Sequence, residues 1–107
     1  MVINRFEVFL VKLDPTLGSE ITKTRPCVIV SPDSMNKYLS TVLIAPLTST
    51  IRNYPTRLNC TFENKEGQIA LDQIRAVDKI RIVKKVGEFE ESFNENICEK
   101  LQIMFQY

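Results

Sequence analysis

Short apolar stretches separated by polar segments recur along most of the chain, which predicts a fold built mainly from β-strands. Three stretches rich in β-branched and aromatic residues are predicted strands, at 6–13, 27–31 and 41–47, and Pro46 in the third indicates an edge or a bulge. Polar and apolar side chains alternate over 56–62, as in a strand with one exposed face. The remaining predicted elements are a helical turn at 32–39, a turn at 63–67, and strands at 68–72, 74–77 and 80–90.

The end of the chain changes period and predicts a helix. Its apolar side chains recur with helical spacing and form one stripe: Ile97, Cys98, Leu101, Met104 and Phe105. Ser92 and Glu95 fit a capping box at the start of this helix, and the stripe is expected to pack against the sheet. The pattern predicts one α+β domain over residues 1–107, in which a strongly twisted, mostly antiparallel sheet forms an SH3-like barrel closed by the C-terminal helix.

The composition is that of an ordinary globular protein, with 44% hydrophobic and 25% charged residues among 107. No apolar run approaches the ~20 residues that span a bilayer, and the N-terminal segment lacks the apolar core of a secretion signal. We therefore expect a cytoplasmic protein with no membrane partner. The three cysteines are far apart and histidine is absent, which argues against a zinc site and predicts buried, reduced thiols. We expect no metal and no cofactor.

The formal net charge is only +1, but the charges are unevenly distributed along the chain. Cations concentrate between 75 and 85, and glutamates concentrate between 88 and 99. Further cations, including Lys23 and Arg52, fall in segments predicted as loops. Solvated surfaces explain most charge runs, so composition leaves a basic groove for nucleic acid open without requiring one.

The polar segment between the first two strands has the chemistry of a phosphate site. Gly18 allows a turn with positive φ, Ser19 supplies a hydroxyl and Glu20 supplies a carboxylate. Pro26 restricts Arg25 to an extended conformation, so its guanidinium points in a defined direction and can bind phosphate oxygens through two hydrogen bonds. The alternative is an ordinary surface loop in which Arg25 pairs with Glu20.

A second polar segment follows the third strand. Thr48 stands at the strand end, where its hydroxyl could bond a phosphate oxygen or cap the strand. Arg52, Tyr54 and Arg57 combine cations with an aromatic face, a combination that holds single-stranded RNA by charge and base stacking. Tyr54, which precedes Pro55, could equally be a turn aromatic that covers the sheet edge.

Three strings of sequence carry more information together than singly: LDPTLGSEITKTRPCVIVSP at 13–32, IAPLTS at 44–49 and GQIALDQIRAV at 67–77. In this order and spacing the chain resembles the MazF/PemK/Kid family of toxin endoribonucleases, including the CcdB/MazF-type barrel. The resemblance implies catalytic positions at Arg25 and Thr48, with Ser19 and Glu20 as accessory residues. The residues expected to contact RNA are Gly18, Lys23, Ser49, Arg52, Tyr54, Arg57, Gln73 and Arg75.

One departure from the family lies before the first strand. Members usually carry Arg-Gly-Asp there, whereas this chain has Arg5, Phe6 and Glu7. Because phenylalanine replaces a glycine, we expect the local turn to differ.

The resemblance implies the toxin of a type II toxin-antitoxin system, a metal-independent, sequence-specific endoribonuclease of single-stranded RNA. The ribose 2′-OH would attack its own phosphate and leave 2′,3′-cyclic phosphate and 5′-OH ends, with Glu20 as the nearest candidate base. The implied partners are a second copy of the chain, in a homodimer whose groove crosses the interface, and a MazE-like antitoxin with an extended acidic tail. Two alternatives remain, a CcdB-like toxin that binds a topoisomerase and a barrel that binds RNA without cutting it.

Overall fold

The computed structural model describes residues 1–13 and 23–107 of the chain. Within these residues there are seven strands: β1 (Glu7–Lys12), β2 (Thr24–Ile29), β3 (Thr41–Thr48), β4 (Arg57–Phe62), β5 (Lys65–Ala70), β6 (Arg75–Asp78) and β7 (Ile82–Glu88). The helices are α1 (Asp33–Tyr38) and α2 (Glu91–Met104), and two 3-10 turns cover Leu71–Gln73 and Lys79–Arg81. In this part of the chain no helix has the length and apolar content needed to cross a membrane.

The strands form one strongly curved antiparallel sheet in the order β4-β5-β3-β2-β1-β7, with β6 also paired to β3. Strand β3 changes partner along its length, since Thr41–Ile44 pair with β6 whereas Leu47–Thr48 pair with β5. Pro46 lies between those two ladders and opposite Cys27 of β2, so it occupies a central strand and not the predicted edge or bulge. The sheet therefore divides at β3 into two parts, one formed with β4 and β5 and the other with β2, β1, β7 and β6.

Two apolar clusters fill the two sides of this sheet. Alternation along β1 and β2 sends Phe9 and Cys27 to the first cluster, and Val8 and Val28 to the second. The second cluster is covered by α2, whose Ile97 is fully buried. A mostly antiparallel, curved sheet closed by a C-terminal helix confirms the predicted α+β fold.

Several element boundaries differ from the predictions. The capping box is wrong, because α2 starts at Glu91 after a cap at Glu90 that makes no side-chain hydrogen bond. Phe105 is 71% exposed, so the apolar stripe ends before it. The turn predicted at 63–67 shrinks to Glu63 and Asn64, both with positive φ, because β5 already begins after them. Strand β7 covers Ile82–Glu88, shorter than the predicted 80–90, and its pairing with β1 shifts register between Lys85 and Gly87.

The turn before β1 has an unusual backbone conformation for a phenylalanine. Phe6 has φ of 69°, in the left-handed region that glycine adopts without strain. Its N–H donates to the carbonyl oxygen of Ile29 at 2.7 Å, and the Arg5 guanidinium carbon lies 4.8 Å from the centre of its ring. The backbone thus takes the conformation expected of a glycine despite the side chain, which packs on the second cluster.

Candidate active site

Arg25 and Thr48 are brought together by the pairing of β2 with β3. Cys27 and Pro46 form the last pair of that antiparallel ladder, and Arg25 and Thr48 each lie two residues beyond it on the two neighbouring strands. Both residues line one cavity of about 550 Å³. The pair of positions that the sequence singled out is therefore a neighbouring pair in space.

The cavity lies between the start of β2 and the hairpin formed by β4 and β5. Its lining includes Leu10 and Pro26 from the first two strands, and Phe62, Lys65 and Glu66 from the β4–β5 hairpin. Apolar, cationic and anionic groups thus surround a space large enough for a nucleotide-sized ligand.

The Thr48 hydroxyl, which belongs to the lining of this cavity, is held by a local hydrogen bond. Its oxygen accepts a hydrogen bond of 3.1 Å from the backbone N–H of Thr50, and the side chain is half-buried. Because the oxygen is the acceptor, the hydroxyl proton is available for donation to a phosphate oxygen. Ser49 is exposed beside it and also lines the cavity.

Two guanidinium groups lie on the same side of the sheet as the first cluster. Arg25 is exposed on β2, and Arg75 is exposed on β6, opposite the buried Ile44. Burial raises the pKa of the Cys27 thiol to about 12, and the charges of Arg25 and Arg75 act against that rise. Both cations are thus close enough to Cys27 to act on it, and the thiol stays protonated. Arg75 also donates to the carbonyl oxygen of Leu13 at 3.5 Å.

Arg57 has a different environment from the one predicted for it. Its Nε donates to Asp72 Oδ1 at 2.7 Å, and its side chain is only 7% exposed. The guanidinium lies 5.3 Å from the ring centre of Tyr54, which is itself 51% exposed. The hydrogen bond from Arg57 lowers the pKa of Asp72 below its ordinary value. Arg57 therefore joins β4 to the segment after β5 and supports Tyr54.

The segment that follows Thr48 is held by a buried side chain. Gln68 on β5 is 4% exposed, and its amide bonds both the N–H and the carbonyl oxygen of Arg52. The Arg52 side chain itself is exposed, as is Tyr54 two residues later. The predicted RNA-contacting residues of this segment are thus presented to solvent by an anchored backbone.

The other predicted site residues are placed as follows. Lys23 is exposed where the described chain resumes, and Gln73 is exposed in a 3-10 turn. Gly18, Ser19 and Glu20 lie outside the described residues. Within 1–13 and 23–107, no three His, Cys, Asp or Glu side chains are grouped so as to hold a metal ion.

A second cavity, of about 680 Å³, lies beside α2 and is acidic. Its lining includes four glutamates: Glu88, Glu91, Glu95 and Glu99. Glu7 and Glu88 also neutralise Lys85, whose Nζ lies 2.7 Å from Glu7 Oε2. Cys98, predicted buried, is half-buried at this cavity. The second cavity is therefore acidic and unsuited to a phosphate, whereas the first has two cations, Arg25 and Lys65, beside Glu63 and Glu66.

Residues 4–105 match the family described as PemK-like, MazF-like toxin of type II toxin-antitoxin system. The chain belongs to this family. All seven strands and both helices of the described residues lie within the matched range.

Two curated relatives carry names that state an activity. Endoribonuclease EndoA of Bacillus subtilis is 28% identical over 109 residues, covering 96% of this chain and 94% of its own. Endoribonuclease MazF of Staphylococcus epidermidis is 37% identical over 97 residues, covering 85% of this chain and 81% of its own. Similarity to both extends over nearly the full domain.

Solved structures confirm the barrel fold predicted for this PemK/MazF chain. The MazE-MazF structure (Form-II) from Deinococcus radiodurans has a TM-score of 0.81 at 20% identity and covers 97% of this chain and 96% of its own. An endoribonuclease in complex with its cognate antitoxin, from a mycobacterial species, has a TM-score of 0.78 at 22% identity, with 97% coverage of each chain. At these identities the likeness establishes the fold.

Sequence reasoning missed two residues around Thr48. Gly67 and Gln68 were recognised only as part of the third family string, yet both contact the backbone on which Thr48 and Arg52 lie. No clear signal in the sequence marks Gln68, because β5 reads KEGQIA and the burial of its glutamine depends on the pairing of β5 with both β3 and β4.

Proposed function

We propose that this chain is the toxin of a type II toxin-antitoxin system and that it cleaves single-stranded RNA, including mRNA. The observation that supports this most directly is the presence of Arg25 and Thr48 in one cavity, next to exposed Arg52 and Tyr54. Two relatives that match most of the chain are named endoribonucleases. A permanent cation beside a fixed hydroxyl is suited to a phosphodiester.

The reaction begins with the ribose 2′-OH attacking the adjacent phosphorus. A bond forms from O2′ to phosphorus, the bond from phosphorus to O5′ breaks, and the products are a 2′,3′-cyclic phosphate and a 5′-OH. One proton leaves O2′ and one is taken up by O5′. No residue must form a covalent intermediate, so positioning and charge stabilisation supply the catalysis.

Arg25 stabilises the negative charge that grows on the non-bridging oxygens. A guanidinium keeps its proton at all physiological pH values and binds two oxygens at once, so it suits this role better than that of a general acid. Thr48 donates its hydroxyl proton to a phosphate oxygen, while its own oxygen is held by Thr50 N–H. Glu20 is the proposed acceptor of the 2′-OH proton, and Ser19 is the proposed accessory hydroxyl.

RNA on either side of the cut would follow the exposed segment after Thr48. Arg52 supplies charge and the exposed Tyr54 ring supplies a stacking face. Arg57 contributes indirectly, because its guanidinium is paired with Asp72 and packs against the Tyr54 ring. Arg75, Gln73, Lys23 and Gly18 complete the proposed contact set.

The proposed protein partners are a second copy of this chain and an antitoxin. Structures named MazE-MazF and endoribonuclease in complex with its cognate antitoxin are available for chains of the same fold. An acidic extended segment would be attracted to the cations around the first cavity and would exclude RNA from it. Light scattering after size exclusion tests the dimer, and a monomer at micromolar concentration would contradict it.

The activity is tested by incubating purified protein with a long natural RNA and mapping the new 5′ ends. We expect discrete cuts at a short unpaired motif, with 5′-OH ends that accept phosphate from polynucleotide kinase without prior dephosphorylation. Cutting should be unchanged in excess EDTA. RNA that is bound but never cut would replace the proposal with a binding module. Inhibition of a topoisomerase with RNA left intact would instead point to a CcdB-like toxin.

A further inference from the structure

Gln68 lies directly beside Thr48 in the sheet. It pairs with Thr48 on β3 and with Asn59 on β4, so Thr48, Gln68 and Asn59 form one row across three strands. Residues directly opposite one another in an antiparallel ladder have side chains on the same face, with Cβ atoms about 5 Å apart. Arg25 lies on the neighbouring strand β2, two residues beyond the last pair of the β2–β3 ladder, Cys27 with Pro46. Gln68 also lines the cavity that contains Arg25 and Thr48.

The Gln68 amide takes the place of a strand partner for the segment after Thr48. Its Oε1 accepts from the N–H of Arg52 at 3.0 Å, and its Nε2 donates to the carbonyl oxygen of Arg52 at 3.1 Å. These are the two bonds that a peptide group would exchange across an antiparallel bridge. The second Nε2 proton goes to Asn59 Oδ1 at 2.8 Å, which fixes the direction of the amide.

We propose that Gln68 is a positioning residue for the phosphate site, acting through the backbone of residues 49–52. This inference rests on the proposed function. Residues 49–55 are exposed, so few side-chain contacts hold them, and the amide of Gln68 is a buried anchor within reach. Thr48 directly precedes residues 49–55, and Arg52 and Tyr54 lie within them. Fixing the Arg52 backbone therefore orients both the Thr48 hydroxyl and the RNA-contacting side chains of Arg52 and Tyr54.

The first test concerns the anchor itself and requires no RNA. We expect the Arg52 amide of the wild-type protein to exchange its hydrogen at least tenfold more slowly than the amides of Ile51 and Asn53. In Gln68→Met, which keeps the length of the side chain and removes its hydrogen bonds, this protection should disappear. Gln68→Glu keeps the acceptor for Arg52 N–H but loses both donors, so it should show intermediate protection. Rapid exchange at Arg52 in the wild type, or unchanged exchange in Gln68→Met, would overturn the proposal.

The second test measures single-turnover cleavage of a mapped RNA oligonucleotide at saturating protein. The rate constant under these conditions does not depend on the fraction of active molecules, so it separates positioning from partial unfolding. Gln68→Met should lower it roughly 10- to 100-fold, because small misplacements of a reacting geometry have effects of this size. The protein concentration at half-saturation should rise by a smaller factor than the rate constant falls, because the anchored segment also bears Arg52 and Tyr54. The rate constant of Gln68→Glu should lie between those of wild type and Gln68→Met.

Val42→Ala is the matched control. Val42 is fully buried at the far end of the same strand β3, so its truncation destabilises the domain without touching residues 48–52. Its saturating rate constant should equal that of wild type. A similar loss in Val42→Ala, or a wild-type rate in Gln68→Met after loss of Arg52 protection, would contradict the positioning role. A wild-type protein that cuts no RNA would reject the proposed function, whereas the exchange measurement would still decide whether the anchor exists.

Discussion

Gly67 and Thr48 approach so closely that a Cβ atom at position 67 would lie 2.5 Å from the carbonyl oxygen of Thr48. Real Cβ atoms do not come that near to an oxygen, and the obstacle is backbone, which cannot rotate away. The lack of a side chain at Gly67 is therefore part of what places Thr48 at the cavity.

Gly67→Ala should displace Thr48. We expect the free energy of unfolding to fall by roughly 1–3 kcal/mol, as overpacking does elsewhere, and RNA cleavage to fall further than stability explains. Urea unfolding and single-turnover cleavage measure the two effects. The comparison is Gly87→Ala, where the Cβ would meet the Phe62 ring at 2.8 Å, a side chain that can move. Equal losses in stability for the two alanine variants would show that the contact with Thr48 is not special.

The turn at Phe6 predicts an unusual order of stabilities. Phe6→Ala and Phe6→Gly both lose the ring, but only alanine keeps a Cβ at φ of 69°. We expect the glycine variant to be more stable by roughly 0.5–1 kcal/mol, since the left-handed region costs a non-glycine residue more than glycine loses in chain entropy. Thermal and urea unfolding of both variants test this. The same pair at Thr61, exposed within β4, should show the opposite order, and alanine ahead of glycine at both positions would refute the prediction.

The ion pair between Arg57 and Asp72 should make stability depend on pH. Arg57 lowers the pKa of Asp72 from its ordinary value of 3.8, so the folded state favours the carboxylate. The contribution is therefore present above that ordinary value and is lost as pH falls through the lowered pKa. Asp72→Asn should be less stable than wild type at pH 7, by up to about 1 kcal/mol for a pair that is partly exposed.

Urea unfolding at several pH values between 7 and 3 tests that window. The difference between wild type and Asp72→Asn should shrink towards the acid end. A difference that stays constant would mean that the carboxylate charge does not stabilise the fold. The exposed Glu99→Gln variant on α2 is a control in which we expect little difference at any pH.

The predicted strands were correct where periodicity and β-branched residues agreed, as in β1, β3 and the half-exposed β4. The ends of elements were less predictable, because they depend on tertiary contacts. Asn64 takes a positive φ that allows a two-residue hairpin turn, so β5 begins earlier than composition indicates. The helix α2 likewise begins without the side-chain cap that Ser92 and Glu95 suggested.

The candidate site was predictable in part, for a physical reason. Arg25 and Thr48 sit at strand ends, where the residue before a proline and the residue after a buried run are recognisable in sequence. Their place in one cavity depends on the pairing of β2 with β3, which a single sequence does not give. Arg57 and Asp72 are separated by 15 positions in the sequence, and Gln68 and Arg52 by 16. Residue types alone do not reveal such pairs.

The central claim is that Arg25 and the Thr48 hydroxyl act together on one scissile phosphate. The most direct measurement is the single-turnover rate of cleavage of a mapped RNA oligonucleotide by Arg25→Ala, Thr48→Val and Thr48→Ser, each with its fold checked by circular dichroism. The account predicts losses of roughly 10² to 10³ for Arg25→Ala and Thr48→Val, with most of the activity retained in Thr48→Ser, which keeps the hydroxyl. Wild-type rates in folded Arg25→Ala or Thr48→Val would contradict it.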